Sequence, residues 1–425
     1  MTASVHTTES LLFHVLLQLI VIIAAARIGN AVFRAIGQPG AVGEIVAGLL
    51  LGPSLFGHLF PELATGLFGT KPDPAISILS QIGLVLLMFQ IGCGFAFERL
   101  DEPRVRRIAL AVALPSVVVP FGLGVGIGWL SAGVMAPAID PLTYSLFCGV
   151  ALAITAVPIL GRILVEHRME RTEIGVIAIA AATFNDVVGW LLLAFVSAYA
   201  TAHLTGASIA VQLGGLVLFM VALRFALAPA VDRLLARMPL VESALPPNLL
   251  AAILCLIFAL ALCTYALGIF AIFGGFAAGL LFHRHHAVAA AWQKQVGQFV
   301  LTFFLPIFFT FTGLRTNLLG LTFADLPWLL LIMAAAILGK IVPVALAARS
   351  AGLETRPALT LGALMNTRAL MELIVLNVGY ELGFLPQSIF TMLVVMAVTT
   401  TLMTGPLLRL LLAPAHHVKR LRADA

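Results

Sequence analysis

Apolar stretches of membrane-spanning length recur from one end of this chain to the other. No other feature constrains its fold as strongly. A helix needs about 20 mostly apolar residues to cross a bilayer. Divided at charged and Pro/Gly-rich stretches, the sequence gives about thirteen such segments, near 11–36, 39–58, 75–97, 105–130, 142–164, 173–200, 207–230, 247–267, 269–283, 295–314, 327–349, 357–380 and 386–412. Only Gly268 marks the boundary between the eighth and the ninth. Lipid offers no hydrogen bonds, so segments of this kind fold as helices that satisfy their own backbone. Of the 425 residues only 10% are charged and 61% are apolar, whereas a soluble domain carries roughly 25% charged residues. That is too little polar surface for a soluble enzyme, a nucleic-acid binder or a disordered scaffold. The expected fold class is an all-α polytopic membrane protein, a single integral domain over 1–425.

Basic residues orient the segments, because cytoplasmic loops collect Lys and Arg. With the N-terminus outside, 20 of the 24 basic residues fall on the cytoplasmic side. Examples are Arg99, Arg104, Arg106 and Arg107, then Arg162, Arg168 and Arg171, and in the tail Lys419, Arg420 and Arg422. Only Lys71 and Arg315 lie outside. A wrong segment count would scramble this alternation, so an odd number of spans is expected, N-out and C-in. Leu11 to Ala26 is apolar, but no Lys or Arg precedes it, so it reads as an uncleaved first span rather than a signal peptide. Cys93, Cys148, Cys255 and Cys263 lie in apolar stretches without a CxxC pair, as buried small hydrophobes.

Four charges remain inside the apolar segments: Asp186, Lys340, Arg368 and Glu372. Charge at the bilayer centre costs several kcal/mol unless it is paired or faces a cavity, so the four point to an ion or proton pathway. Two segments also carry helix-breaking sequence. In the fifth, Pro158 follows Thr155, Ala156 and Val157; it either kinks the helix or marks unwound backbone facing an ion. In the twelfth, Asn366 and Thr367 precede Arg368. The two lie seven segments apart, and an odd offset inverts their direction. That is the pattern of inverted-topology repeats, here 11–200 and 247–412, with 207–230 as a linker helix and 413–425 as a short cytoplasmic tail.

The Asn185–Asp186 pair supplies the chemistry. Asp186 follows Glu173 by about 13 residues, or about 20 Å along a helix, which puts it near the midplane. A carboxylate in low dielectric holds a proton more tightly than in water. It accepts a proton or a desolvated monovalent cation, and that competition is the chemistry of exchange. Asn185 offers an amide oxygen for coordination, or hydrogen bonds that lock a helix crossing; Thr155 and Ala156 lie in the break whose backbone would face the ion, and Asp186 is expected to be the only mid-span carboxylate beside a broken helix. Arg368 and Glu372, at i and i+4, can pair on one helix face. Lys340 is expected to neutralise Glu372 or the negative ends of half-helices, with direct proton carriage as the alternative, and Lys340, Arg368 and Glu372 are expected to form one charge network. Glu44 opens the second span and lines an access funnel or merely a helix N-terminus. His283, His285 and His286 read as a solvated loop rather than a metal site. Gly122, Gly124, Gly126 and Gly128, and the Gly275/Gly279 pair, mark close helix packing or a sliding interface. No P-loop, HExxH or GxSxG with triad partners is present, so no enzyme activity and no cofactor are expected.

Four stretches resemble the monovalent cation:proton antiporter-2 family, in its plant-type cation/H⁺ exchanger branch. They are Gln38–Ser54, Ala153–Leu164, Ala181–Trp190 and Leu364–Asn377. The resemblance implies a thirteen-helix fold with two broken crossing helices, a homodimer and elevator-like alternating access. It carries the family's ion site to Thr155, Asn185 and Asp186, with Lys340 as basic partner. Asn-Asp in place of two aspartates is the form the family associates with electroneutral exchange. The chain departs in having Arg368-Ala369 where relatives often have Lys-Gly, and no regulatory domain like that of many relatives is expected. The expected activity is exchange of K⁺ or Na⁺ for H⁺ across a bacterial inner membrane, with no nucleic-acid partner. The alternatives are an ion-coupled organic-anion symporter and a non-transporting membrane sensor.

Overall fold

The computed structural model describes residues 2–69, 73–94, 103–169, 172–201, 214–215, 217–240, 244–267 and 270–412. The expectations for Lys71, Arg99, Arg171, Gly268, the tail 413–425 and part of the linker 207–230 lie outside these residues. The principal helices are α1 (Thr2–Ala35), α2 (Gly40–Leu51), α3 (Pro74–Cys93), α4 (Pro103–Met135), α5 (Pro141–Ala153), α6 (Val157–Glu166) and α7 (Glu173–Thr201). They continue as α8 (Pro247–Ala266), α9 (Ala271–Leu281), α10 (Leu305–Arg315), α11 (Leu326–Ser350), α12 (Thr355–Met365), α13 (Leu370–Glu381) and α14 (Gln387–Leu412). Local chemistry sets several starts. Asp73 and Asp140 cap α3 and α5 by accepting from Ala75 N and Thr143 N, and each is followed by a proline, whose missing N–H costs nothing in a first turn.

Among the described residues, 8 helices are long and apolar enough to cross a membrane, or 10 if each of two bent pairs is one span. The thirteen expected spans are therefore not all counted by this measure. The fifth is divided into α5 and α6, the ninth is the short α9, and the seventh falls partly outside the described residues. Large apolar side chains such as Phe13, Leu130, Leu262 and Tyr265 face outward, as a lipid-solvated surface requires. Cys93 and Cys148 are buried, but Cys255 and Cys263 are exposed on α8, contrary to expectation. An apolar stretch says that a residue sits in the membrane, not which way it faces.

The extensive helix pairings separate into two bundles. In the first, α1 packs on α2, α2 on α10, α3 on α9 and α10, and α8 on α9. In the second, α4 packs on α5, α7 and α11, α11 on α12, and α14 on α12 and α13. Between them the helix pairing is sparser: α2 meets α14, Asn377 Nδ2 on α13 donates to Thr312 Oγ1 on α10 at 2.7 Å, and the Trp190 ring on α7 packs on Phe273 and Phe276 of α9. The glycines work inside the bundles rather than along this seam. A Cβ on Gly275 or Gly279 would strike the α3 backbone at Val85 or Phe89, and one on Gly124 or Gly128 would strike α5 at Cys148 or Ser145. Gly122 and Gly126 face open space. Gly124, Gly128, Gly275 and Gly279 thus mark close helix packing, one of the two expected readings, rather than a sliding interface.

Both expected breaks are present. Residues 154–156 separate α5 from α6, and residues 366–369 separate α12 from α13 with a 40° bend. The breaks touch, since Ala156 N donates to Thr367 O at 3.1 Å. A third bend, of 45°, was not foreseen: it lies between Gly297 and Val300, flanked by π-helical turns at Gln293–Gly297 and Val300–Phe304. Widened turns of this kind are a recognised cause of helix kinks.

Candidate ion-exchange site

The crossing of the two broken helices is a place where backbone and side-chain groups trade partners. Where α5 ends, its last carbonyls have no helical N–H to accept, and the unwound residues cannot supply one. Two buried cations do. Lys340 Nζ, on α11, donates to Ala153 O at 2.5 Å, and Arg368 Nη1 donates to Ala151 O at 3.2 Å. A carbonyl terminus carries partial negative charge, so cations there are stabilised. Arg368 Nη2 also donates to Ala336 O at 3.2 Å, joining α5, α11 and the second break.

The second acceptor for Lys340 is Ser116 O on α4, at 2.7 Å. It is free because position 120 is a proline: Pro120 has no N–H with which to close the helical bond back to residue 116. The Ser116 hydroxyl meanwhile accepts from Asn185 Nδ2 at 2.6 Å. Ser116 thus links Lys340 to the Asn-Asp pair. Sequence reasoning passed over it, and the signal that reveals it is a proline four residues downstream in the middle of an apolar helix.

Asp186 is buried on α7, 1% exposed. The Val157 N–H, at the start of α6, interacts with its carboxylate, yet neither oxygen reaches hydrogen-bond geometry with any described group. Asn185 is fully buried beside it; its amide also reaches Thr155 Oγ1 at 3.4 Å, and its Oδ1 has no partner. The Thr155 hydroxyl donates to Met365 O at 3.3 Å, which ties the first break to the second. Thr155, Ala156, Asn185 and Asp186 are therefore brought together.

The second crossing holds Asn366, fully buried with no partner for either amide atom, and Thr367, whose hydroxyl donates to Thr404 Oγ1 at 3.4 Å. Glu372 lies in the first turn of α13, so Asp186 is not the only buried carboxylate beside a break. Arg368 Nη1 stands 3.9 Å from Glu372, and neither Glu372 oxygen is hydrogen-bonded. The expected network is accordingly looser than a chain of ion pairs. Lys340 serves two backbone carbonyls rather than a carboxylate, and Arg368 divides itself between carbonyls and Glu372.

Glu44 lines no access funnel. It is buried between α1 and α2, paired with Arg27 and accepting from Asn30 Nδ2 at 2.5 Å. His285 contacts Asp232 at 3.0 Å, and among the described residues no group of three metal-binding side chains assembles.

Comparison with known proteins fits this arrangement. The profile of the family described as "Sodium/hydrogen exchanger, transmembrane" matches residues 20–413. The chain is 36% identical over 419 residues to the Na(+)/H(+) antiporter NhaS4 of Synechocystis, covering 96% of this chain and 100% of that one. It is 33% identical over 411 residues to Cation/H(+) antiporter 18 of Arabidopsis thaliana, covering 95% of this chain and 50% of the relative. It thus spans only half of the plant protein. The fold matches the sodium proton antiporter MjNhaP1 of Methanocaldococcus jannaschii with a TM-score of 0.58 at 15% identity, covering 94% of this chain and 96% of that one. The membrane helices, the crossed breaks and the match over nearly the whole sequence agree: this chain is an integral membrane protein that belongs to the sodium/hydrogen exchanger family, a family of transporters and not of enzymes.

Proposed function

We propose that this chain exchanges a monovalent cation, K⁺ or Na⁺, for H⁺, with Asp186 binding cation and proton in turn. The observation that carries this reading is a buried carboxylate that no side chain donates to and that only the Val157 backbone N–H approaches, beside an Asn185 amide oxygen without a partner among the described residues. A bare carboxylate is costly in low dielectric. It takes up a proton or a cation, and the helix break beside it supplies Thr155 and backbone groups to share a cation's coordination. Lys340 and Arg368 hold the α5 terminus so that the break persists whether Asp186 is loaded or not. Asn366 and Thr367 line the opposite side of the crossing, and Glu372 balances Arg368.

With one exchanging carboxylate, each cycle moves one cation one way and one proton the other, so exchange is electroneutral. Alternating access follows an elevator-like movement of the second bundle against the first. The sparser helix pairing between the bundles supports this, as does the placing of both breaks in the same bundle. That bundle draws α4–α7 from residues 11–200 and α11–α14 from residues 247–412, which favours two inverted repeats. The functional unit is a homodimer in a bacterial inner membrane, with its N-terminus outside. The test is proton flux in proteoliposomes under separate K⁺ and Na⁺ gradients. Flux driven by at least one of them is expected, and flux driven by neither would refute exchange.

A further inference from the structure

The seam between the bundles opens at the end of α13 that carries Glu381, the outer end by the distribution of basic loops. A narrow, mostly apolar crevice of about 50 Å³ runs there among α3, α9, α10 and α13, with Ser80, Gln81, Asn377 and Glu381 as its polar groups. That volume holds one ion or a few waters. It follows α13 inward as far as Ile374, about 10 Å at the helical rise. Glu372 and the crossing lie just beyond. Ser80 is 1% exposed, and its hydroxyl has no hydrogen-bond partner although it lines the crevice. A buried hydroxyl without a partner on such a wall is an oxygen ligand in waiting.

Beside the crevice stands Arg315, the last residue of α10. Its Nη1 donates to Asn377 Oδ1 at 3.2 Å and to Glu381 Oε1 at 2.9 Å. Its guanidinium carbon lies 3.8 Å from the Phe311 ring centroid and 5.5 Å from that of Tyr380. A carboxylate, an amide oxygen and two aromatic faces form a cation's environment, and here the cation is a side chain. α10 belongs to the first bundle and α13 to the second, so the guanidinium also bridges the seam.

We infer that this crevice is an outer cation-binding vestibule, and that Arg315 occupies its acidic end as a tethered competitor of the transported cation. An incoming cation takes Glu381 and the Asn377 amide oxygen from Arg315 and gains Ser80, releasing one of the links across the seam while Asn377 Nδ2 keeps its 2.7 Å bond to Thr312 Oγ1. The inference rests on the exchange activity proposed above. It separates from a plain structural latch by sign. Arg315→Gln and Glu381→Gln break the same ion pair, so a latch predicts that both variants shift transport in the same direction. Competition predicts opposite shifts, because one removes the rival and the other removes the ligand.

The measurement is the initial rate of proton movement in oriented proteoliposomes of the full chain, against Na⁺ and against K⁺ at the outer face. Arg315→Gln should lower the outer KM about threefold or more, Glu381→Gln should raise it by a similar factor, and Ser80→Ala should raise it about twofold. Arg315→Lys keeps a tethered charge and should stay near wild type; if the glutamine variant does not fold, Ser80→Ala still decides, because it leaves the Arg315–Glu381 pair intact and a latch alone predicts no change in KM. KM values that move together for Arg315→Gln and Glu381→Gln, or that do not move, would overturn the vestibule while leaving exchange intact. Absence of cation-driven proton flux in the wild-type protein would remove both.

Discussion

Ala369 has φ 83° and ψ −109°, a conformation open to glycine and costly for any residue with a Cβ. It is fully buried, it directly precedes α13, and its carbonyl accepts the first bond of that helix from Leu373 N at 2.9 Å. The chain is driven there by what flanks it. Thr367 O is held by Ala156 N, and Arg368 N is held by Thr401 Oγ1 at 3.2 Å, which leaves residue 369 to absorb the change in direction between α12 and α13. Backbone held in such a region costs about 1–3 kcal/mol. Ala369→Gly releases that strain, forfeits about 0.8 kcal/mol of methyl burial and adds about 0.4–1 kcal/mol of unfolded-chain freedom. The net change lies between a loss of about 0.8 and a gain of about 1.8 kcal/mol. The same substitution at Ala363, buried in regular helix on α12, suffers both losses without the release and costs about 2 kcal/mol. Thermal melts of the two variants beside wild type in detergent isolate the strain, because the remaining contributions are shared. A369G should melt close to wild type, with A363G several degrees below wild type. Equal destabilisation by both would refute strain at the crossing.

Lys340→Ala deprives Ser116 O and Ala153 O of their ammonium donor; each orphaned carbonyl costs about 1–3 kcal/mol, so the melting temperature should fall more markedly than apparent cation affinity changes, and an unchanged melting temperature would contradict the bracing role. Ser116→Ala leaves Asn185 without its 2.6 Å acceptor; steady-state transport should show a raised cation KM together with a lower melting temperature. An electroneutral exchanger ignores an imposed potential, whereas each net charge moved is worth about 2.3 kcal/mol per 100 mV; cation-driven pH change should therefore match at zero and at strongly negative potential, and a shift in rate or endpoint would reveal a second moving charge.

The breaks were legible because the residues that cause them are local. Pro158 and the Asn366-Thr367-Arg368 run interrupt apolar helix within a few residues, and a buried Asp186 announces itself by its cost. Ser116 was not legible, since its role depends on Pro120 freeing a carbonyl for a lysine 224 residues away in sequence. The pairing of Glu44 with Arg27 depends likewise on how α1 turns back on α2. The division into two bundles is tertiary throughout: each apolar face suits lipid, a neighbouring helix or the seam equally well, and Cys255 and Cys263 were misplaced for that reason. The departure at Ala369 was visible as an unusual residue, and only the backbone angles give it a physical meaning.

The central claim is that Asp186 is the group on which cation and proton compete. Asp186→Asn keeps the size of the side chain and its place beside Asn185, while removing the charge that attracts a cation and the site that releases a proton. The variant should be purified, shown by its melting temperature to be folded, and assayed in proteoliposomes for cation-driven proton flux beside wild type. The account predicts flux at the level of protein-free liposomes in a protein at least as stable as wild type, because a buried carboxylate has been replaced by a neutral amide. Wild-type flux from the folded Asp186→Asn protein would contradict it.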